Sequence, residues 1–182
     1  MKKIYMLLTA LLLTMTAAGQ TQQITVDVNG YQATAFVDRV ARTLTLGNGQ
    51  NACIPHYAVA SGLSDFVIPG KYDGYGDYNV IIAPFAFRFC SNLVRIKVGE
   101  GVTTIGDFAF VGCGQTTAID LPSTLKTVGC GAFVGLSLLK VIICRSATPP
   151  AWAYGDVFSY DGTAKSTAVG ADKRIAYVPE GS

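Results

Sequence analysis

Apolar residues return along this chain at a fixed interval of 23 positions. Ile82, Ile105 and Val128 begin three segments, and Phe87, Phe110 and Phe133 follow five positions later, each preceded by an alanine: Ala86, Ala109 and Ala132. Cys90, Cys113 and Leu136 stand eight positions in, and Ile96, Ile119 and Ile142 fourteen in. A unit this short cannot enclose a core, so its apolar side must be buried against the units before and after it. The chain is expected to be a solenoid, and its function to belong to a surface and not to a catalytic pocket.

Within a unit, Leu93 to Val98 alternates apolar and polar residues with a period of two, which points Ile96 and Val98 inward and Arg95 and Lys97 outward on a short strand. Ala118 to Leu121 and Val141 to Cys144 are its equivalents, and stacking aligns the three into a parallel sheet. Gly106 to Phe110 reads as a single helical or 3₁₀ turn on the other side, and Leu121 to Leu125, with Pro122 just beyond the ladder, as a corner. Nearer the N-terminus, Ile24 to Val28 alternates, Asn29-Gly30 is a tight-turn pair, and Tyr31 to Val37 alternates again, which predicts a β-hairpin. Arg42 to Leu46 supplies a third strand before Gly47-Asn48-Gly49. These strands are expected to cover the open end of the solenoid, where an exposed first coil would present apolar core and unpaired backbone.

The run Ile105-Gly106-Asp107-Phe108-Ala109-Phe110-Val111-Gly112-Cys113, continuing to Leu125, resembles the BspA-type leucine-rich repeat of bacterial surface proteins. The resemblance is strong from Ile82 to Cys144. It is looser upstream, where matching Leu63, Phe66 and Ile68 to Leu93, Ile96 and Val98 requires a spacing of 30 and hence an insertion. Ala83-Pro84 stands where Ile-Gly is usual, and Thr116 replaces a leucine. The resemblance implies an exported, non-enzymatic protein used in adhesion or in binding a protein or glycan.

The expected architecture is therefore an α/β-type leucine-rich repeat solenoid, a short parallel sheet with helical or 3₁₀ turns, carrying a β-hairpin N-terminal cap. Its expected divisions are a signal peptide over 1–19, a β cap over 20–51, a degenerate first repeat with an insertion over 52–81, regular repeats over 82–145 and a C-terminal cap over 146–182. The signal peptide rests on Lys2 and Lys3, an almost wholly apolar stretch from Ile4 to Ala17, and the small residues Thr16 to Gly19. The apolar stretch falls short of the roughly twenty residues needed to span a bilayer. The mature chain is thus expected to carry no transmembrane segment and to be secreted or held at the cell surface. Of 14 basic and 12 acidic side chains, Lys2 and Lys3 leave with the signal, so 12 of each remain. A chain without basic excess offers no electrostatic footprint to nucleic acid or to an anionic membrane.

Chemistry finds little to stand on. Five cysteines is an odd number for an exported chain. Cys90 and Cys113 share a repeat position that Leu136 fills in the next unit, so packing is the first reading of that position, with a disulfide between adjacent rungs the alternative. Cys144 matches Val98 and Leu121 and reads as core, whereas Cys53 and Cys130 have no counterpart. The cysteine spacings and the single histidine, His56, make no zinc site. His56 near Ser61, Ser64 and Asp65 lacks the framing of a nucleophile elbow, and Asp73-Gly74-Tyr75-Gly76-Asp77 lacks the ligand series of a calcium loop. No cofactor, metal or catalytic residue is expected.

Surface residues remain. Lys71 to Asn79 carries Tyr72, Tyr75 and Tyr78 among glycines and charges, a composition that binding loops share with turns packed back on the fold. The outward strand positions Arg95, Lys97, Ala118, Asp120, Val141 and Ile143 grade from basic through acidic to apolar, and Trp152 and Tyr154 are expected to cover the apolar end. The candidate partner-binding residues are Arg95, Lys97, Asp120, Tyr72, Tyr75 and Tyr78. The alternative to recognition is a structural role, in which the short solenoid extends end to end with another copy or a larger surface complex.

Overall fold

Each regular unit lays down two strands, one in each of two sheets, and closes the circuit along a third side made of turns. The computed structural model describes residues 21–55, 65–146, 148, 150–152 and 174–177. The signal peptide expected over 1–19 lies outside the described residues, as do His56, Ser61, Ser64, Tyr154 and most of the C-terminal segment.

Three strands open the chain: β1 (Thr21–Val28), β2 (Tyr31–Asp38) and β3 (Thr43–Leu46). β1 and β2 pair antiparallel with Val28 opposite Tyr31, and Asn29 and Gly30, at φ 55° and 87°, form the two-residue turn whose twist suits a hairpin. The chain then alternates between sheets: β4 (Phe66–Ile68), β5 (Asn79–Ile82), β6 (Arg95–Val98), β7 (Val102–Ile105), β8 (Ala118–Leu121), β9 (Thr127–Val128), β10 (Val141–Cys144), β11 (Ala151–Trp152) and β12 (Arg174–Tyr177). Among the described residues one sheet has the order β1-β2-β3-β5-β7-β9-β11 and the other β12-β10-β8-β6-β4. From β3 onward every neighbouring pair is parallel. In the five-stranded sheet, Phe66 lies beside Ile96 and Ile68 beside Val98, the pairing that a 30-residue spacing demands.

Two features correct the sequence reading. The expected single sheet is joined by a second, because Val102–Ile105 and its equivalents form a ladder in which Ile82, Ile105 and Val128 align as inward neighbours. The expected helical or 3₁₀ side holds no helix among the described residues. Phe85, Phe89 and Phe108 have φ of 60°, 58° and 54°, and such left-handed residues interrupt any helical run. Backbone donors there alternate instead. Phe85, Phe87 and Phe89 donate across to Asp107, Ala109 and Val111 of the next unit, at 3.1, 2.8 and 2.7 Å, while Ala86, Arg88 and Cys90 close turns within their own unit onto Ala83, Phe85 and Phe87. Phe108, Phe110 and Gly112 repeat the pattern onto Cys130, Ala132 and Val134.

The phenylalanines run through the interior as one column. Phe87 and Phe110 stack 5.4 Å apart at 7°, and Phe110 and Phe133 6.0 Å apart at 20°. Phe66 ends the column edge-on to Phe87 at 5.8 Å, and Tyr31 of β2 lies 6.1 Å from Phe66, so the hairpin reaches the first coil. Cys53 also belongs here. Its N–H donates to Ala86 O at 2.8 Å, the same bond that Phe87 makes to Ala109, so it holds the Phe87 position of the preceding coil although no 23-residue spacing marks it. Thr116, where a leucine is usual, is fully buried, and its hydroxyl donates to Leu93 O of the previous unit at 2.9 Å.

Corners between the sheets are equally repetitive. Gly101, at φ 110°, passes so close to Gly70 that a β carbon would come within 2.0 Å of the Gly70 carbonyl oxygen. One coil further, the Glu100 carboxylate accepts hydrogen bonds from Ser123 N and Oγ, both at 2.8 Å. These contacts bind unit to unit outside the core.

Phe110 is buried on both ring faces by its neighbours, so no single unit can collapse around its loss. Phe110→Ala is expected to lower the unfolding free energy by about 3 to 5 kcal/mol, read by denaturant titration. A loss below about 1 kcal/mol would show that the ring is not core.

Candidate functional site

The outer face of the five-stranded sheet carries the charged candidates. In one row across it stand Val67, Lys97, Asp120 and Ile143, and in the next Arg95, Ala118 and Val141. Inward neighbours on the same strands are buried, so period-two alternation holds these side chains outward on a rigid frame. Lys97 is exposed and makes no ion pair among the described residues. Arg95 is exposed beside Asp65, N to O 3.5 Å. Asp120 is different: Arg145 holds both its oxygens at 2.7 Å, and its side chain is 14% exposed. Its charge is spent within the fold, which leaves the accessible charge of this face basic.

The tyrosines lie elsewhere. Loop 69–78 links β4 to β5 at the corner between the sheets, and Tyr72, Tyr75 and Tyr78 are half-buried and packed against the core. Tyr75 and Tyr78 meet edge to face at 5.3 Å. Arg42 lies over the Tyr78 ring at 5.5 Å and pairs with Asp77. The Tyr72 hydroxyl is buried with no hydrogen-bond partner among the described residues, and burial, reinforced by Cys53 and Asp27, pushes its ionisation well up. The six candidates thus divide between two surfaces, and the tyrosines pack back on the fold. Trp152 belongs to β11 of the seven-stranded sheet, paired beside Val128, so its strand does not cover the outer face of β10 as expected. Charge pairing of Asp120 with Arg145 left no local signal in the sequence, since the two are 25 positions apart.

No group of three or more potential metal ligands gathers among the described residues. All five cysteines are free. Cys53, Cys90, Cys113 and Cys144 are buried, while Cys130 is half-buried. Burial pushes the Cys53 thiol up to about 12 and the Cys90 thiol up to about 11. Cys113, whose Sγ donates to Phe87 O at 3.2 Å, is raised well above the ordinary value, chiefly by burial. Thiols held neutral in apolar surroundings are inert, so these are packing groups, not nucleophiles.

The profile of the BspA type leucine rich repeat region, in 6 copies, matches residues 54–149. No curated protein matches the chain. Among solved structures, the T. pallidum leucine rich repeat protein TpLRR is similar at 17% identity over 66% of this chain, with a TM-score of 0.42. The chain spans 61% of the length of that protein. The pneumococcal vaccine antigen PcpA is similar at 17% identity over 71% of this chain and 40% of its own, with a TM-score of 0.29. Among the described residues no helix is long and apolar enough to cross a membrane.

Two outcomes follow for the thiols. A thiol-specific alkylating reagent is expected to label Cys130 alone in the native chain near neutral pH, and the other four once denaturant is added; native labelling of Cys90 or Cys113 would contradict their burial. Raised thiols also make stability fall with alkali. The unfolded chain ionises near 9.0 while Cys53 and Cys90 hold their protons to about 12 and about 11. Their contribution is therefore full below 9.0 and lost as pH rises through those values. Unfolding free energy that stays level across this range would contradict the assignment.

Proposed function

Because the chain belongs to the BspA-type leucine-rich repeat family, a match that covers more than half of it, we propose that it is an exported, non-catalytic module that binds a protein partner. Recognition is placed on the outer face of the five-stranded sheet, around Arg95 and Lys97. One observation carries this reading. Lys97 stands exposed and without an ion pair among the described residues on β6, between β4 and β8 of a rigid sheet, while the neighbouring acid, Asp120, is already neutralised by Arg145. The fold has no use for Lys97, so its charge is available to a partner with acidic groups. Tyr72, Tyr75 and Tyr78 form a second, half-buried aromatic surface at the adjoining corner, and Asp120 acts by holding Arg145 in place.

Export is proposed on the leader-like sequence of 1–19, with the β strands of 20–51 and the segment 146–182 closing the two ends of the repeats over 52–145. A structural reading is kept for one reason. β1 is the outermost strand of the seven-stranded sheet, eight residues long and free of proline and lysine, which suits pairing with another copy. Solution size separates the two readings, since recognition expects a monomer and assembly a concentration-dependent series.

The test of recognition is binding of the chain to purified surface and extracellular-matrix proteins, with and without Arg95→Ala and Lys97→Ala together. The double variant is expected to keep its melting temperature and to weaken the captured interaction by about tenfold or more, with the wild-type affinity falling as salt rises. Equal affinity in wild type and variant would reject this face.

A further inference from the structure

The two sheets end differently beside the first coil. In the five-stranded sheet the last strand is β4, three residues long, and its outward amide is taken: Val67 N–H donates to Asn29 Oδ1 of the hairpin turn at 3.2 Å. In the seven-stranded sheet the last strand is β1, eight residues long and paired with β2 without a bulge. Native sheets blunt an open edge with lysine, proline, a bulge or brevity. β1 has none of these, although the same hairpin closes the other edge.

The hairpin register tells which backbone groups are open. A two-residue turn makes Val28 and Tyr31 a bonded pair, so Val26, Ile24 and Gln22 also bond to β2. Thr34 of β2 agrees with this alternation, because its N–H and carbonyl face away from β1, toward Cys53 O and Gly47 N, at 3.3 and 2.9 Å. The N–H and C=O groups of Gln23, Thr25 and Asp27 therefore point to the open edge, where no strand follows β1 among the described residues. Side chains show the same opening. Val28 and Val26 are buried, but Ile24, next in that inward row, is only half-buried against the core.

An edge of this kind is completed best by itself. Antiparallel pairing about a two-fold axis presents the same strand to both sides, and only registers that match inward rows to inward rows keep the apolar side chains together. With the axis at Ile24, Gln23 exchanges both backbone bonds with the partner's Thr25. The Ile24 side chains meet at the close, non-bonded position, with Cα atoms about 4.5 Å apart. Each half-buried isoleucine is then covered by the other. Asp27, the one charge on the strand, lies about 20 Å from the partner's Asp27, at the end where the partner's Arg39 stands. Arg39 is exposed and held at that end of β1 by its bond to Gln22 Oε1 at 3.5 Å, while Asp38 there is already occupied by the amides of Val40 and Ala41, at 2.9 and 2.8 Å.

We propose that β1 joins two copies of this chain edge to edge, in a closed dimer with one continuous sheet. The proposal rests on the structural reading of β1 and narrows it, since a self-matching contact uses up the edge and stops at two. A single strand edge is a small interface, so the chain is a monomer when dilute. Arg95 and Lys97, on the other sheet, stay open in either state.

The test is sedimentation of the mature chain over a range of concentrations, where a monomer–dimer equilibrium is expected. Thr25→Pro removes an N–H that the monomer does not use, and proline is tolerated on an edge. It is expected to weaken the dimer about tenfold or more and to leave the melting temperature of the dilute chain unchanged. A second arm reads the register without relying on that variant. In a Cys130→Ser background, which removes the half-buried thiol, Ile24→Cys is expected to form a covalent dimer under a mild oxidant, because the paired Cα separation suits a disulfide. Gln23→Cys, whose counterpart lies diagonally across, is expected to stay largely monomeric. A monomer at every concentration would overturn this dimer and the structural reading together. Species larger than a dimer would overturn the closed pair and keep that reading. A dimer that Thr25→Pro leaves intact and Ile24→Cys does not cross-link would rule out β1 as its contact, and equal cross-linking through Gln23→Cys would rule out the axis at Ile24.

Discussion

A 23-residue unit of this chain bonds its own backbone in local turns alone among the described residues, and the sharing of the other backbone bonds between units sets the rest of the structure. Along the turn side, Phe85, Phe87 and Phe89 donate to the next unit, and Phe108, Phe110 and Gly112 do so again. The two sheets apply the same rule on the other sides. A buried amide left without a partner costs about 1 to 3 kcal/mol, so a unit out of step would lose a whole row of bonds at once. Register then decides which side chains meet. Phe87, Phe110 and Phe133 stack face to face, the first two with their amides tied to Ala109 and Ala132, and Thr116 is tolerated inside because Leu93 O lies within reach of its hydroxyl.

This division of labour frees the outside. Inward positions are fixed by columns that must match their neighbours, whereas outward positions answer only to solvent and to whatever binds. Outward chemistry differs along the chain for that reason: Arg95 and Lys97 are charges on a flat sheet, while Phe85, Phe89 and Phe108 are rings on left-handed backbone. Asp120 shows the limit of reading function from an outward charge, since its partner, Arg145, comes from just beyond the next strand of the same sheet.

Much of the interior was legible in the sequence because repetition made it so. The phenylalanine column, the inward line of Ile82, Ile105 and Val128, and the strands beginning at Arg95, Ala118 and Val141 all follow from matched spacing and a period of two. The second sheet was not legible. β7 buries Val102 and Ile105 at its ends with two threonines between them, β9 is two residues long, and the pairing of β5 with β7 shifts register between Val80 and Ile81, so no alternation survives to be read. The turn side was misread as helical for a related reason. Ala-Phe spacing fits a helical turn as well as it fits the observed arrangement, and nothing in the side chain of Phe85 or Phe108 announces a left-handed backbone. Cys53 was missed because the insertion before β5 breaks the 23-residue spacing that would have placed it. The charged candidates on the sheet were placed by alternation alone, whereas packing of the tyrosines depends on Arg42 and on the hairpin, which are distant in sequence.

The central claim is that the turn side is a ladder between units and not a helix within each. Native-state amide hydrogen exchange tests this most directly. The amides of Phe85, Phe87, Phe108 and Phe110, which donate across units, should exchange only with global unfolding and as slowly as those of Ile96 and Ile119 in the sheet. Those of Ala86, Arg88 and Val111, which only close local turns, should exchange sooner. Uniform protection along 85–90 and 108–113, or rapid exchange at Phe87 and Phe110, would contradict the account.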